Sequence, residues 1–197
     1  IEELDFDEEG LDTQDLVFGS KIKVLLQDMD LIKWRQDLEQ DAKELAEILK
    51  SAKVITPQRD NKLQTLKNRI ARKIENLINP GNGKLIIFTA FADTAEYLYQ
   101  NIAPAMESSG IYAALVTGGS ESNKSTLPIP AALRRSVRLS DLNTVLTLFS
   151  PISKEGKNIF PDMQEEIDIL IATDCISEGQ NLQDCYYLIN YDIHWNP

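Results

Sequence analysis

Four short apolar runs separated by helical stretches constrain this chain more than any other feature of its sequence. Leu85-Ile86-Ile87-Phe88-Thr89, Ala113-Ala114-Leu115-Val116, Ile167-Asp168-Ile169-Leu170-Ile171-Ala172 and Tyr186-Tyr187-Leu188-Ile189-Asn190-Tyr191 are runs of strand length. The first is continuously apolar, as a strand buried on both faces must be. Between the runs, Asp93 or Thr94 can cap a helix through Ala95, Leu98 and Ile102, which Pro104 should bend or shorten. Leu139 to Phe149 returns to helical spacing, and residues 120–138, rich in Ser, Pro and charge, read as an inserted loop. Strands alternating with helices imply right-handed crossovers and a parallel sheet, an α/β fold with its ligands at the carboxyl ends of the strands.

The first 80 residues read differently. Trp34, Leu38, Ala42, Leu45 and Leu49 mark one face of a helix, and Leu63, Leu66, Ile70, Ile74, Leu77 and Ile78 a second. Asn79-Pro80-Gly81-Asn82-Gly83 is a concentrated stop signal. The expected organisation is an acidic opening and helical appendage over 1–80, followed by an α/β domain over 81–197.

Charge refines this picture. The net charge is −11, but eight acidic residues precede Lys21, which leaves −3 for the rest. Residues 58–78 are basic (Arg59, Lys62, Lys67, Arg69, Arg72, Lys73), as is the cluster Arg134, Arg135 and Arg138. Solvated helix faces explain both clusters without a ligand, and a phosphate backbone as partner is compatible with them. No apolar run approaches the ~18 residues of a membrane helix, so no membrane partner is expected. Cys175 and Cys185 lack metal-ligand spacing, and a reduced, cytoplasmic protein is the simplest expectation. His194 is the single histidine, which rules out a His-based triad or a multi-histidine metal site. Gly81-Asn82-Gly83-Lys84 precedes a strand and is followed by Leu85, so it reads as a turn rather than a phosphate-binding loop.

The strand ends carry the chemistry. Thr89-Ala90, Thr117-Gly118-Gly119 and Thr173-Asp174 place short hydroxyls and backbone N–H groups where phosphate oxygens can be bound. Ile171 to Gln183, with Thr173-Asp174 and Glu178-Gly179-Gln180-Asn181-Leu182, resembles motif V of superfamily-two helicases in its bacterial Swi/Snf-like form. Leu85 to Phe91 resembles motif IV. Val116-Thr117-Gly118 resembles the Thr-Gly element of the next strand. Ile189 to Pro197 (Asn190-Tyr191-Asp192-Ile193-His194-Trp195-Asn196-Pro197) resembles the segment preceding motif VI. The similarity covers roughly residues 58–197 and identifies the chain as a piece of the second RecA-like (P-loop NTPase-like) motor domain, a helicase C-terminal domain.

That resemblance implies roles. Thr89, Thr117, Gly118 and Thr173 would face the nucleic-acid backbone. Glu178, Gly179 and Asn181 would face ATP, with Asn181 nearest the ribose, and Asp174 would couple the two sides. The implied protein is an ATP hydrolase, a helicase or translocase on duplex DNA or on a protein–DNA complex. Its ATP and Mg2+ would be held mainly by the first RecA-like domain of the same polypeptide. Motif VI, with the arginine finger, would follow Pro197, so no catalytic residue is expected within this stretch, which alone should be inactive. A degenerate motor domain kept as a protein-interaction scaffold is the alternative. A third reading, an unrelated doubly wound enzyme, lacks a candidate set of substrate residues.

Overall fold

Burial on two faces shapes the larger part of this protein, as its computed structural model shows for residues 17–18, 24–25, 28–75, 78–118, 123–176 and 180–192. The chain divides into two compact units, Ile1–Thr56 and Pro57–Pro197.

In the first unit, β1 (Val17–Phe18) pairs antiparallel with β2 (Val24–Leu25), ahead of α1 (Leu31–Ala52). The Asp30 carboxylate caps α1 by accepting from the Lys33 N–H at 3.0 Å, which satisfies one of the orphan donors of the first turn. Arg35 and Glu39 pair across one turn at 2.9 Å. No residue of α1 is buried; of its stripe, Trp34 is half-buried and Leu38, Leu45 and Leu49 are exposed.

The second unit begins with α2 (Asn61–Ile74), capped by Asp60, which accepts from the Leu63 N–H at 2.9 Å. The other carboxylate oxygen of Asp60 accepts from the Tyr97 hydroxyl at 3.0 Å. Leu63, Leu66 and Ile70 of α2 are buried in the core of this unit, so the helix grouped by periodicity with the first 80 residues packs with the sheet. Lys73 departs from the expectation of a solvated basic face. It is 0% exposed, and its ammonium reaches the Ile78 carbonyl at 3.3 Å.

Then follow β3 (Leu85–Phe88), α3 (Ala92–Glu107), β4 (Ala113–Val116), β5 (Lys124–Ser125), a 3-10 turn at Ala131–Leu133, α4 (Leu142–Phe149), α5 (Gly156–Ile159), β6 (Ile169–Ala172), a 3-10 turn at Asp174–Ile176 and β7 (Leu188–Asn190). The sheet order is β5-β4-β6-β3-β7. β4, β6, β3 and β7 are parallel in register, with Leu85 opposite Ile169, Ala113 opposite Ile169 and Ile86 opposite Leu188. Alternate residues feed two cores. Leu85, Ile87, Leu115 and Ile171 pack with α2 and α3, while Ile86, Val116, Leu170 and Ala172 pack with α4.

Three local expectations change. The inserted loop contains β5, which pairs antiparallel with β4 and gives the parallel sheet an antiparallel edge. α3 starts after Phe91 without a side-chain cap, so neither Asp93 nor Thr94 has that role. Pro104 does not end α3, which runs on to Glu107. Ile102 and Ala103 are buried just before it and Pro104 is exposed, so the packed face holds the helix through the lost hydrogen bond. The Asn82 N–H donates to the Asn79 carbonyl at 3.1 Å and closes a turn, beyond which Lys84 pairs with Glu166 at 2.9 Å and donates to the Ile167 carbonyl at 3.0 Å.

Candidate functional site at the carboxyl edge of the sheet

Three neighbouring strands end side by side, and their terminal residues meet. The Thr89 N–H, just past β3, donates to the Ala172 carbonyl of β6 at 3.0 Å. The Thr173 N–H, just past β6, donates to the Val116 carbonyl of β4 at 3.2 Å. Parallel register therefore brings Thr89, Thr173 and Thr117 onto one edge although 84 positions separate the first from the second in the chain. All three are buried or nearly so.

Around Thr173 the packing is close. Its hydroxyl lies 3.4 Å from the Cys175 sulfur, which in turn lies 3.8 Å from the Val116 carbonyl. A Cβ on Gly118 would sit 3.7 Å from the Cys175 Cβ, an ordinary contact. Thr117 is oriented from behind, its N–H donating to the Asn123 carboxamide at 3.3 Å, while Asn123 donates to the Ser140 carbonyl at 2.9 Å. A cavity of about 600 Å³ opens here, lined by Thr117, Gly118, Arg138, Ser140, Asp141 and Cys175. Of the basic cluster Arg134, Arg135 and Arg138, it is Arg138 that lines this cavity.

Asp174 lies in the 3-10 turn immediately after Thr173, is exposed, and lines a second cavity of about 670 Å³. Gln180, Asn190 and the apolar Phe88, Ile176 and Leu182 share that wall. Adjacent residues in one turn, Asp174 and Cys175, thus line different cavities. Asn181, next to Gln180, is exposed and has a carboxamide suited to donate to and accept from sugar hydroxyls. Glu178 and Gly179, together with His194 and Trp195, lie outside the described residues.

Two anchoring carboxylates escape sequence reasoning. Asp192, past β7, accepts from the Thr89 hydroxyl, from the Ala90 N–H at 3.1 Å and from the Lys62 ammonium at 3.1 Å. Burial alone would raise its carboxyl, but these three donors outweigh that effect and hold it below the ordinary range. Asp184, following Asn181 closely, accepts from the Ile152 and Ser153 N–H groups at 2.7 and 2.9 Å and from the Ser153 hydroxyl. Lys154 adds a bond to the Gln180 carboxamide at 3.0 Å, so the segment 180–184 is tied to the 151–154 turn at two points. Asp192 sits in a stretch that resembles a helicase motif and Asp184 directly follows one, yet their partners lie up to 130 residues away, beyond any local spacing. Among the described residues no cluster of His, Cys, Asp or Glu could hold a metal, and no helix is long and apolar enough to cross a membrane.

Comparison with known proteins points to a helicase domain. The helicase conserved C-terminal domain family matches residues 152–197. An uncharacterized ATP-dependent helicase of Bacillus subtilis strain 168, YqhH, is 30% identical over 134 residues. The match takes in 68% of this chain and 18% of that helicase, so the chain spans under a fifth of its relative's length. With the match over residues 152–197, the identity to an ATP-dependent helicase and the mostly parallel five-stranded sheet, this chain carries a helicase conserved C-terminal domain.

Proposed function

We propose that the whole protein is an ATP-dependent translocase of the Swi/Snf-like kind acting on duplex DNA, of which this chain supplies half of the nucleotide cleft and half of the nucleic-acid track. One observation carries the reading: a single short turn contributes Asp174 to one cavity and Cys175, beside Thr117 and Gly118, to the other. A ligand that pulls on one wall shifts the other, which is what coupling hydrolysis to movement needs.

On this reading Thr117, Gly118 and Thr173 meet backbone phosphates, with Arg138 adding charge. Contacts of that class give affinity with little sequence preference. Asn181 holds the ribose beside Glu178 and Gly179. Mg2+ and most of the phosphate contacts belong to the first motor domain, and the polypeptide before Pro57 serves as a brace. ATP, when bound, would supply the phosphoryl chemistry. The residues of this chain orient the sugar and grip the strand.

The test is ATP turnover by the whole protein with and without duplex DNA, beside residues 1–197 alone and a whole-protein Gly179→Asp variant. Stimulation by DNA in the whole protein, absent from the other two, is the expected result. A whole protein that stays inert with DNA and RNA alike would establish a protein-interaction scaffold instead.

A further inference from the structure

The donors around Asp192 form a set that chemistry assigns to a phosphate. A hydroxyl (Thr89) and a backbone N–H (Ala90) from the end of β3 and an ammonium (Lys62) from α2 converge on one carboxylate. The Lys62 ammonium is further fixed 3.9 Å above the Tyr191 ring, and the Tyr191 N–H donates to the Phe88 carbonyl at 2.7 Å, which pins the chain beside β3. Hydroxyl, N–H and lysine are the donors that proteins use on nucleic-acid phosphates. Here an internal anion occupies them.

This arrangement bears on the role expected of Thr89. Its side chain is buried at 2% exposure, and its one hydroxyl proton is given to Asp192. With the proton committed, Thr89 offers an approaching phosphate only lone pairs, beside a carboxylate of the same charge. Thr89 therefore cannot hold a strand while Asp192 is in place. Asp192 is not locked inside the protein, however. Its side chain is 20% exposed, and that of Lys62 is 57% exposed. A rotation outward would release all three donors, Ala90 and Lys62 at the surface and the Thr89 hydroxyl at the base of the site.

We propose that Asp192 is an internal occupant of a phosphate site made by Thr89, Ala90 and Lys62, and that a nucleic-acid phosphate engages this site only by displacing the carboxylate. The proposal deepens the motor reading, since it gives one point of the track a closed and an open state. Grip at the end of β3 is then weaker than the donors alone would allow. Weak grip at one point suits a protein that must release and rebind a strand.

The experiment compares the whole wild-type protein with Asp192→Ala, Asp192→Asn and Asp192→Ala/Thr89→Val by fluorescence anisotropy on a labelled DNA duplex across a salt series. Thermal melts of each variant in rising sulfate accompany it. Asp192→Ala should bind roughly tenfold tighter, as one charge-assisted hydrogen bond allows. Its salt slope should steepen by about 0.9, the value of one added phosphate contact on B-form DNA. Adding Thr89→Val should remove most of the gain in affinity, while the steeper slope, which belongs to the Lys62 cation, should remain. Asp192→Asn keeps the shape, removes the charge and should gain in the same direction by less, which covers the case that the alanine variant does not fold. Sulfate should raise the melting temperature of Asp192→Ala more than that of wild type or the double variant.

Folded Asp192 variants that bind DNA no tighter than wild type, with no extra response to sulfate, would overturn the proposal. If no form binds DNA or RNA but the sulfate response of Asp192→Ala appears, the phosphate site stands and the motor reading falls.

Discussion

The Asp184 carboxylate accepts the backbone N–H of Ile152 at 2.7 Å, and the Ser153 N–H joins it at 2.9 Å. A single buried acid thus satisfies two donors of the turn between α4 and α5, while its own carbonyl accepts from the Asn82 carboxamide at 2.8 Å. Replacing Asp184 by Ala removes the partner of both donors in a half-buried turn that water reaches on the side of the exposed Ile152. The expected loss is about 1–3 kcal/mol in urea denaturation. Burial pushes the Asp184 carboxyl up, but the bonds from Ser153 and Ile152, with Lys84 nearby, leave it below the ordinary range. A carboxyl held low in the fold contributes stability that is complete above its unfolded value of about 3.9 and fades as pH falls toward the folded value. Stability of wild type should therefore fall below about pH 4 more steeply than that of Asp184→Asn. Parallel acid curves for the two would refute the assignment.

The same turn leaves no room at Gly156. A Cβ there would lie 2.9 Å from both Cα and Cβ of Pro151 and 3.1 Å from the Thr147 carbonyl, while the Gly156 N–H already donates to the Pro151 carbonyl at 2.7 Å. Backbone and a proline ring cannot move aside as a flexible side chain would. Gly156→Ala should cost about 1–3 kcal/mol, measured by thermal unfolding. A Tm equal to that of wild type would mean the turn relaxes freely.

How much of this was legible beforehand depends on the kind of signal. β3, β4 and β6 announce themselves because strands covered on both faces need unbroken apolar runs, and the α/β class follows from their alternation with helices. β5 is two polar residues, Lys124-Ser125, paired at an edge, and no apolar pattern marks it. α2 was legible as a helix but not as part of the sheet unit, since periodicity shows that a face is buried and not against what. At the candidate site, hydroxyls at strand ends were visible as residue types. The clamp on Thr89 was not, because Asp192 reaches it across 103 positions of chain.

Lys73 offers a case where removing a charge should help. Its side chain is 0% exposed, its ammonium has the Ile78 carbonyl at 3.3 Å and the Tyr187 ring at 5.5 Å, and desolvation pulls its pKa down. A lysine with a lowered folded pKa costs stability wherever it is charged in both states, and the cost disappears as pH rises past the unfolded value of about 10.4. Lys73→Met keeps the length and fills the same space without an ammonium to desolvate. At pH 7 the variant should melt higher than wild type, and the gap should narrow as pH rises toward 10. A variant that melts lower would show that the bonds to Ile78 and Tyr187 outweigh the burial of the charge.

The two walls of the Asp174 turn should separate in the kinetics of the whole protein. Asn181 is exposed and adjoins Gln180, which lines the cavity of Asp174, whereas Thr117 lines the cavity shared with Gly118 and Arg138. If Asn181 holds the ribose, Asn181→Ala removes a hydrogen bond made before and during hydrolysis. KM for ATP should then rise about tenfold with kcat little changed, while DNA affinity at fixed salt stays as in wild type. Thr117→Val should do the reverse: the DNA concentration giving half-maximal stimulation rises several-fold and KM for ATP at saturating DNA stays put. Asp174→Asn differs from both, because a residue that links the walls should weaken stimulation by DNA without altering either affinity measured alone. The decisive measurement is a matrix of ATP turnover against both ATP and DNA concentration for the three variants. Should Asn181→Ala and Thr117→Val shift both affinities equally, the division of the turn into a nucleotide side and a strand side is wrong, and the two cavities belong to one continuous surface.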